Sequence, residues 1–506
     1  MGWLETKLKS VNTDKWYLLL VPTLFYFVLL VLGKNGIGIT PDSVSYLSAM
    51  RSLLEGRGYL MATATGGEAF MAHFPPIFPI FLFLVGGLYQ IQRMVVVNAL
   101  LGAVSVYLLG RVWEIVLGIS NRNRFFTVVL QGLLAISADF MYIHVHLWSE
   151  PLFVAVMLLA IYLIVKDWQR PTTTAIVAIM ALLPLIRYAG ILFVVAYVGL
   201  IIARAVIQHS SKIEVVKKTV WAVLPLVPFT LWNVFTAILG TSTRSLGFHM
   251  ISVDKMKRGI SVVWGWWLPQ IDTLSYVWKS LFLLVLIIGG MYIINQYTQE
   301  QNNMSGSLHK EKVLALPYLY ALIPLYVCFI VVTICFLDQA TRLNSRMLAP
   351  ILPISLLFLV QCGAIVTVKN KMVGVTLIGI IVVAIGTRGY IFAKQLLQFG
   401  AENSRIQWEN SPVLSYSCNQ LKGKLIITNA REVLYAYCGG ENSIDVDSLN
   451  IATLKDLPLN ITTNYIVLAN DRKNGEKAIL LPSVSINTIS QTEFEDGVVL
   501  QIKPLE

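Results

Sequence analysis

The chain has 506 residues, of which 56% are hydrophobic and 13% charged, with a net charge of +11 and a mean hydropathy of +0.68. A soluble enzyme of this length would carry about 25% charged residues, so that class is excluded. The positive balance is accounted for by cytoplasmic loops and anionic lipid headgroups, with no need for nucleic acid as a partner.

Apolar runs near twenty residues recur from residue 16 to about residue 391. Each is long enough to cross a bilayer. They predict a polytopic α-helical membrane protein with about 11–13 transmembrane helices. The first run, Trp16 to Leu32, is too long for a signal-peptide core and reads as a retained helix.

The first loop, residues 34–74, contains "GITPDSVSYLSAMRSLLEGRGYL". Thr40 suits an N-cap and Pro41 a first helical position. Val44, Leu47, Met50 and Leu54 fall near one face, which predicts a helix lying on the membrane surface. Gly56 and Gly58 end it. Asp42 then sits in the first turn, at the positive end of the helix dipole, which favours its ionised form. Residues 75–90 follow, beginning "PPIFPIFLFL". The prolines at 75, 76 and 79 and the short length predict a segment that does not cross, leaving 94–110 as the crossing helix; the alternative is a Pro-initiated transmembrane helix with a cytoplasmic turn at Arg93.

Lys7, Lys9 and Lys15 put the N-terminus in the cytoplasm. Later basic clusters include Arg111/Arg122/Arg124, Lys166/Arg170, Arg204/Lys212/Lys217/Lys218, Lys310/Lys312 and Lys369/Lys371. With these inside, the turns at 141–150, near 187, at 240–275 and at 338–346 are exterior. The last run, 372–391, then leads outward, so 1–391 reads as the membrane module and 392–506 as an exterior, periplasmic domain. That domain is expected to be a small α/β unit, with strands in "GKLIITN", "NYIVLAND", "AILLPSVSI" and "GVVLQIKPL" and a helix in "AREVLYAYCGG". Cys418 and Cys438 are its cysteines, and either a disulfide or two thiols fits.

The exterior edges gather ionisable residues. Asp42 and Glu150, in "HLWSEPLF", are the carboxylates. His73 precedes the proline pair, and Arg187 interrupts an apolar run, where a charge should line a polar cavity or meet a structural carboxylate. Arg244 and His249 share the 240–275 loop with Lys255, Lys257 and Arg258. Arg342 and Arg346 precede "MLAPILP". Glu150 also reads as a helix-terminal acid before Pro151, and the basic loop as an interfacial anchor.

The order of these stretches resembles the C-type glycosyltransferase superfamily (GT-C), polytopic enzymes that use polyprenyl-phosphate sugars. The stretches are "PDSVSYLSAMRSLLEGRGY", "HFPPIFPIFLFL", "WSEPLF", "PLIRYAG", "TRSLGFH" and "NSRMLAPILP". The likeness is closest to bacterial relatives of protein mannosyltransferases and the lipid A aminoarabinose transferase. It implies a hexosyl or pentosyl transfer, with inversion, to a glycan, lipid or protein acceptor outside a bacterial cytoplasmic (inner) membrane. It implies Asp42 as general base, Glu150 as a second catalytic carboxylate, and His73, Arg187, Arg244, His249 and Arg346 around the donor phosphate. No cofactor is demanded. A divalent metal stays open, because many relatives place a second acidic residue where this chain has Ser43. A lipid-linked glycan polymerase or ligase is one alternative, and a membrane transporter a second.

Overall fold

The computed structural model describes residues 15–502, except 63–67, 87–90, 118–120, 169–170, 209, 240–247, 249, 268–274, 305–314, 337–342, 405–407, 409, 422–423, 439–442, 446–463 and 470–487. Arg244, His249, Arg342 and the stretch "AILLPSVSI" lie outside the described residues.

The helices in chain order are α1 (Tyr17–Leu32), α2 (Pro41–Leu54), α3 (Ile77–Leu84), α4 (Arg93–Leu117), α5 (Asn121–Ile136), α6 (Ala138–His144), α7 (Glu150–Lys166), α8 (Thr174–Ile186) and α9 (Gly190–Ile207). They continue as α10 (Lys212–Val223), α11 (Leu226–Ile238), α12 (Val253–Trp267), α13 (Tyr276–Met304), α14 (Ala315–Phe336), α15 (Ser345–Leu348), α16 (Leu352–Lys369), α17 (Lys371–Phe399) and α18 (Pro412–Gln420). Among the described residues, seven helical stretches are long and apolar enough to cross a membrane, or up to nine if each bent pair is one span. The expected minimum of eleven is reached only by adding α7 and α8, which have 17 and 13 residues. The bent pairs are α5–α6, turned by 60°, and α10–α11, turned by 48°. A continuous apolar core joins these helices, with α1 and α7 packed along α4.

Helix α2 forms where the sequence places it. Thr40 is extended, its N–H donates to Ser43 Oγ at 3.0 Å, and Pro41 is the first helical residue. Its apolar face does not lie on a membrane surface, however. Val44, Leu47 and Met50 are buried in the protein core, because α3, the first loop and the chain around residue 435 cover them. Helix α3 has eight residues, about 12 Å of rise, too short to cross a hydrocarbon layer of about 30 Å. Pro75 and Pro76 set its start and Val85 its end, with Phe78 and Leu82 buried.

A small hairpin, β1 (Leu60–Ala62) and β2 (Glu68–Phe70), stands in the first loop. Beyond α17 a mixed five-stranded sheet forms from β3 (Leu425–Thr428), β4 (Ser443–Asp445), β5 (Asn464–Ala469), β6 (Thr488–Phe494) and β7 (Gly497–Ile502). Its order is β4-β3-β5-β7-β6. The β3 pairings are parallel and the β7 pairings antiparallel. Its own core includes Val413, Ile426, Val433, Val467 and Val499. The expected helix at 430–440 is a short turn, Arg431–Val433, continued as a π-helical turn, Leu434–Cys438. Cys418 and Cys438 are bonded, with Cα atoms 4.8 Å apart. Cys328, Cys335 and Cys362 are free thiols.

The exterior placement of this domain has a direct test. With those three free cysteines replaced, a cysteine at Ser443 is expected to react with a membrane-impermeant maleimide in intact cells. Reaction only after lysis would put the domain inside.

Candidate active site

Four of the residues singled out in the sequence meet at one end of the bundle. Asp42 comes from the first turn of α2, Glu150 from the first residue of α7, Arg187 from the end of α8 and Arg346 from α15. Asp42 and Glu150 stand at helix N-termini and Arg187 at a helix C-terminus, where the backbone dipole favours charges of those signs.

Arg346 is the centre. Its Nη1 lies 2.6 Å from Asp42 Oδ2, and its Nε donates to Glu150 Oε1. Arg187 Nη1 is 2.6 Å from the same Glu150 oxygen and donates to Ser149 Oγ at 3.0 Å. Two carboxylates and two guanidiniums therefore form one neutral cluster. The side-chain exposures divide the roles: Glu150 is 0% exposed and Asp42 33%. A fully buried carboxylate persists because two cations neutralise it. Asp42 is the carboxylate that solvent, and hence a reactant, can reach.

Neighbouring side chains fix this arrangement. Arg346 stacks over Trp148, 4.3 Å from its ring centroid. Trp148 donates its indole N–H to Thr40 Oγ1 at 2.8 Å and stacks on His146 with centroids 4.2 Å apart. Ser43 Oγ donates to the Leu147 carbonyl at 3.0 Å. Ser43 is thus a buried hydroxyl tying α2 to the chain before Glu150. Tyr46, one turn beyond Asp42, lies 3.3 Å from Ser149 Oγ. Burial, with Asp42 beside it, pushes the Tyr46 phenol far above its usual range, so it keeps its proton.

His73 is exposed and stands at the rim. Its chain neighbours tie it to the site: Tyr188 donates to the Ala72 carbonyl at 2.8 Å, and Phe74 packs on Tyr46.

A second set of contacts reaches Asp42 from behind. The Ile39 N–H donates to the Glu402 carbonyl at 2.8 Å, and Asn403 Nδ2 donates to the Ile39 carbonyl at 3.2 Å. Asn403 has φ +52°, a left-handed conformation that asparagine tolerates better than most residues. Tyr437, in the C-terminal sheet domain, donates its hydroxyl to the Asn403 carbonyl at 3.3 Å. Nearby, Arg51 of α2 lies over the Tyr435 ring, 5.0 Å from its centroid, and Tyr435 is buried in the core of the membrane module. The sequence signals none of these partners of α2, except that Tyr46 follows Asp42 at helical spacing.

Arg346 also lines a cavity of about 990 Å³ walled by one face of α17, including Thr376, Ile380, Val383, Thr387 and Ile391. Asp139 and Arg388 close part of it as an ion pair at 3.0 Å. Among the described residues no group of three or more histidines, cysteines, aspartates or glutamates is placed to hold a metal ion. Arg346 sits between Asp42 and Glu150, so a cation at these two carboxylates would have to displace it.

No family model matches the sequence, and no curated protein matches it. Solved structures do. The chain is similar to ArnT from Cupriavidus metallidurans bound to undecaprenyl phosphate, with a TM-score of 0.50 and 12% identity, over 97% of this chain and 98% of that one. It is similar to the archaeal oligosaccharyltransferase AglB from Archaeoglobus fulgidus, in complex with an inhibitory peptide and a dolichol-phosphate. There the TM-score is 0.53 at 10% identity, covering 90% of this chain and 70% of that one. An Archaeoglobus fulgidus oligosaccharyltransferase complex with Zn and sulfate gives 0.50 at 13% identity, covering 89% and 68%. Despite the low identity, the chain shares the overall fold of these solved structures.

Proposed function

We propose that the protein is a membrane glycosyltransferase that moves a sugar from a polyprenyl phosphate to an acceptor on the outer face of a bacterial cytoplasmic membrane. One observation carries this reading. A solvent-reachable carboxylate and two guanidiniums converge where a largely apolar cavity of about 990 Å³ begins. A lipid chain fits the cavity and its phosphate the cations; polyprenyl-phosphate ligands in the structures of ArnT and AglB support that choice.

Each residue then has a role. Asp42 takes the proton of the acceptor hydroxyl. The hydroxyl oxygen bonds to the anomeric carbon as the bond from that carbon to the phosphate oxygen breaks. The electron pair leaves with the polyprenyl phosphate, and Arg346 and Arg187 stabilise the growing negative charge. One displacement, with the base opposite the leaving group, inverts the anomeric centre. Glu150 is buried and acts as a positioning residue that holds both arginines. His73, joined to the site through Ala72 and Phe74, is a further candidate for the donor phosphate. In the donor-free state Arg346 is paired with Asp42, so an arriving phosphate competes for Arg346 and releases the base. No step runs through a metal.

Purified protein offered a panel of polyprenyl-phosphate sugars with candidate acceptors is the test. One donor is expected to be consumed, with polyprenyl phosphate released in step with glycosylated acceptor. If no donor in the panel binds or reacts, while undecaprenyl-linked oligosaccharide diphosphates are polymerised or ligated, the alternative reading takes its place.

A further inference from the structure

At the opposite end of the bundle the structure holds a second cavity of about 290 Å³, with Thr172, Thr173, Arg204, Gln208 and Lys218 among its lining residues. Its distance from the active site follows from helix geometry. Helix α9 starts beside Arg187, and Arg204 lies fourteen residues on from Gly190, about 21 Å along the axis. Helix α8 makes the same journey in reverse, from Thr174 at the cavity to Ile186 at the active site. The transfer chemistry therefore makes no use of this cavity.

Its chemistry is that of an anion site. Arg204 lies over the Trp168 ring, 4.7 Å from its centroid, which holds the guanidinium plane at the cavity wall. Lys218 supplies a second cation; it is paired with the exposed Glu214 at 2.8 Å, a contact that solvent weakens. The Thr173 hydroxyl oxygen is buried without a hydrogen-bond partner. Tyr197 donates to the Pro171 carbonyl at 2.7 Å and braces the loop that forms one wall. Beside the lining residues in the chain, Val206 and Ile207 at the end of α9 and Ile213 and Val216 on α10 are exposed apolar residues. A free anion has no use for such a rim, whereas the acyl chains of a phospholipid would cover it. Basic pockets at the cytoplasmic ends of membrane helices commonly take anionic headgroups in this way.

We infer that this cavity binds the phosphate of an anionic phospholipid, with Arg204 and Lys218 as its cations, Thr173 and Gln208 as hydrogen-bond partners and the apolar rim against the acyl chains. The site is independent of sugar transfer, so its test reads binding alone.

Protein in a neutral detergent is titrated with phosphatidylglycerol, phosphatidylcholine or inorganic phosphate, and retained ligand is counted by native mass spectrometry. The wild-type chain should keep one phosphatidylglycerol at least tenfold more tightly than phosphatidylcholine. The double variant Arg204→Gln, Lys218→Gln should lose at least tenfold in that affinity, while Lys212→Gln with Lys217→Gln, outside the cavity, should not. Lys218→Gln alone, at a partly exposed position, should weaken retention severalfold and keeps the test valid if the double variant fails to fold. Equal retention by the wild-type chain and the Lys218 variant would overturn the site. Equal binding of inorganic phosphate would overturn the lipid as its occupant.

Discussion

Asp42→Asn is expected to lower turnover by about a hundredfold or more, the scale of a lost general base. The amide keeps the shape of the side chain and removes its basicity. Folding should survive, because Asp42 is one-third exposed and its pair with Arg346 is partly solvated. The reading makes a second, less obvious demand. Once Asp42 is neutral, Arg346 loses a competing partner, so donor affinity should hold or tighten while kcat falls. Turnover and donor KM, measured together on purified protein, check this. Turnover near that of the native chain would sink Asp42 as the base. A raised KM with intact kcat would make it a donor-binding group instead.

Glu150→Ala is expected to act on stability first. It leaves Arg187 and Arg346 in a largely enclosed site with one carboxylate between them. Breaking a buried pair by removing one partner costs about 3–5 kcal/mol. The melting temperature in detergent should drop clearly, and activity should fall with it. Adding Arg187→Met should recover part of the lost stability, since it removes the charge left uncompensated. A melting temperature unchanged in Glu150→Ala would show that the cluster does not hold the helix ends together.

Much of this was legible in the chain. The capped start of α2 follows from Thr40 and Pro41, since local backbone chemistry determines it. Arg187 stands out because an apolar run rarely carries a charge. That Glu150 is the carboxylate which meets it could not be read, because the pairing joins residues 37 apart through the packing of α7 and α8. Nor could the sequence show that Arg346 would reach both acids. The apolar face of α2 was misassigned to the membrane for a related reason: periodicity reveals that a face is buried, not what buries it. The strands β3, β5 and β7 were visible as β-branched runs between turn residues. Strand β4 has only three residues, and β6, "TISQTEF", is largely polar, so neither carried a pattern.

The contacts at Ile39 tie the C-terminal sheet domain to the start of α2. Ile39 is fully buried, and its backbone donor and acceptor are both satisfied by residues 402 and 403. A chain truncated after Phe399 would lose those partners, together with Tyr435 over Arg51. Two buried backbone groups would be stranded three residues before Asp42, at a cost of about 1–3 kcal/mol each. Loss of activity on such truncation would therefore say nothing about acceptor recognition by the sheet domain. A cut made after the Asn403 turn, with the Tyr435 segment supplied as a separate peptide, would separate scaffolding from recognition.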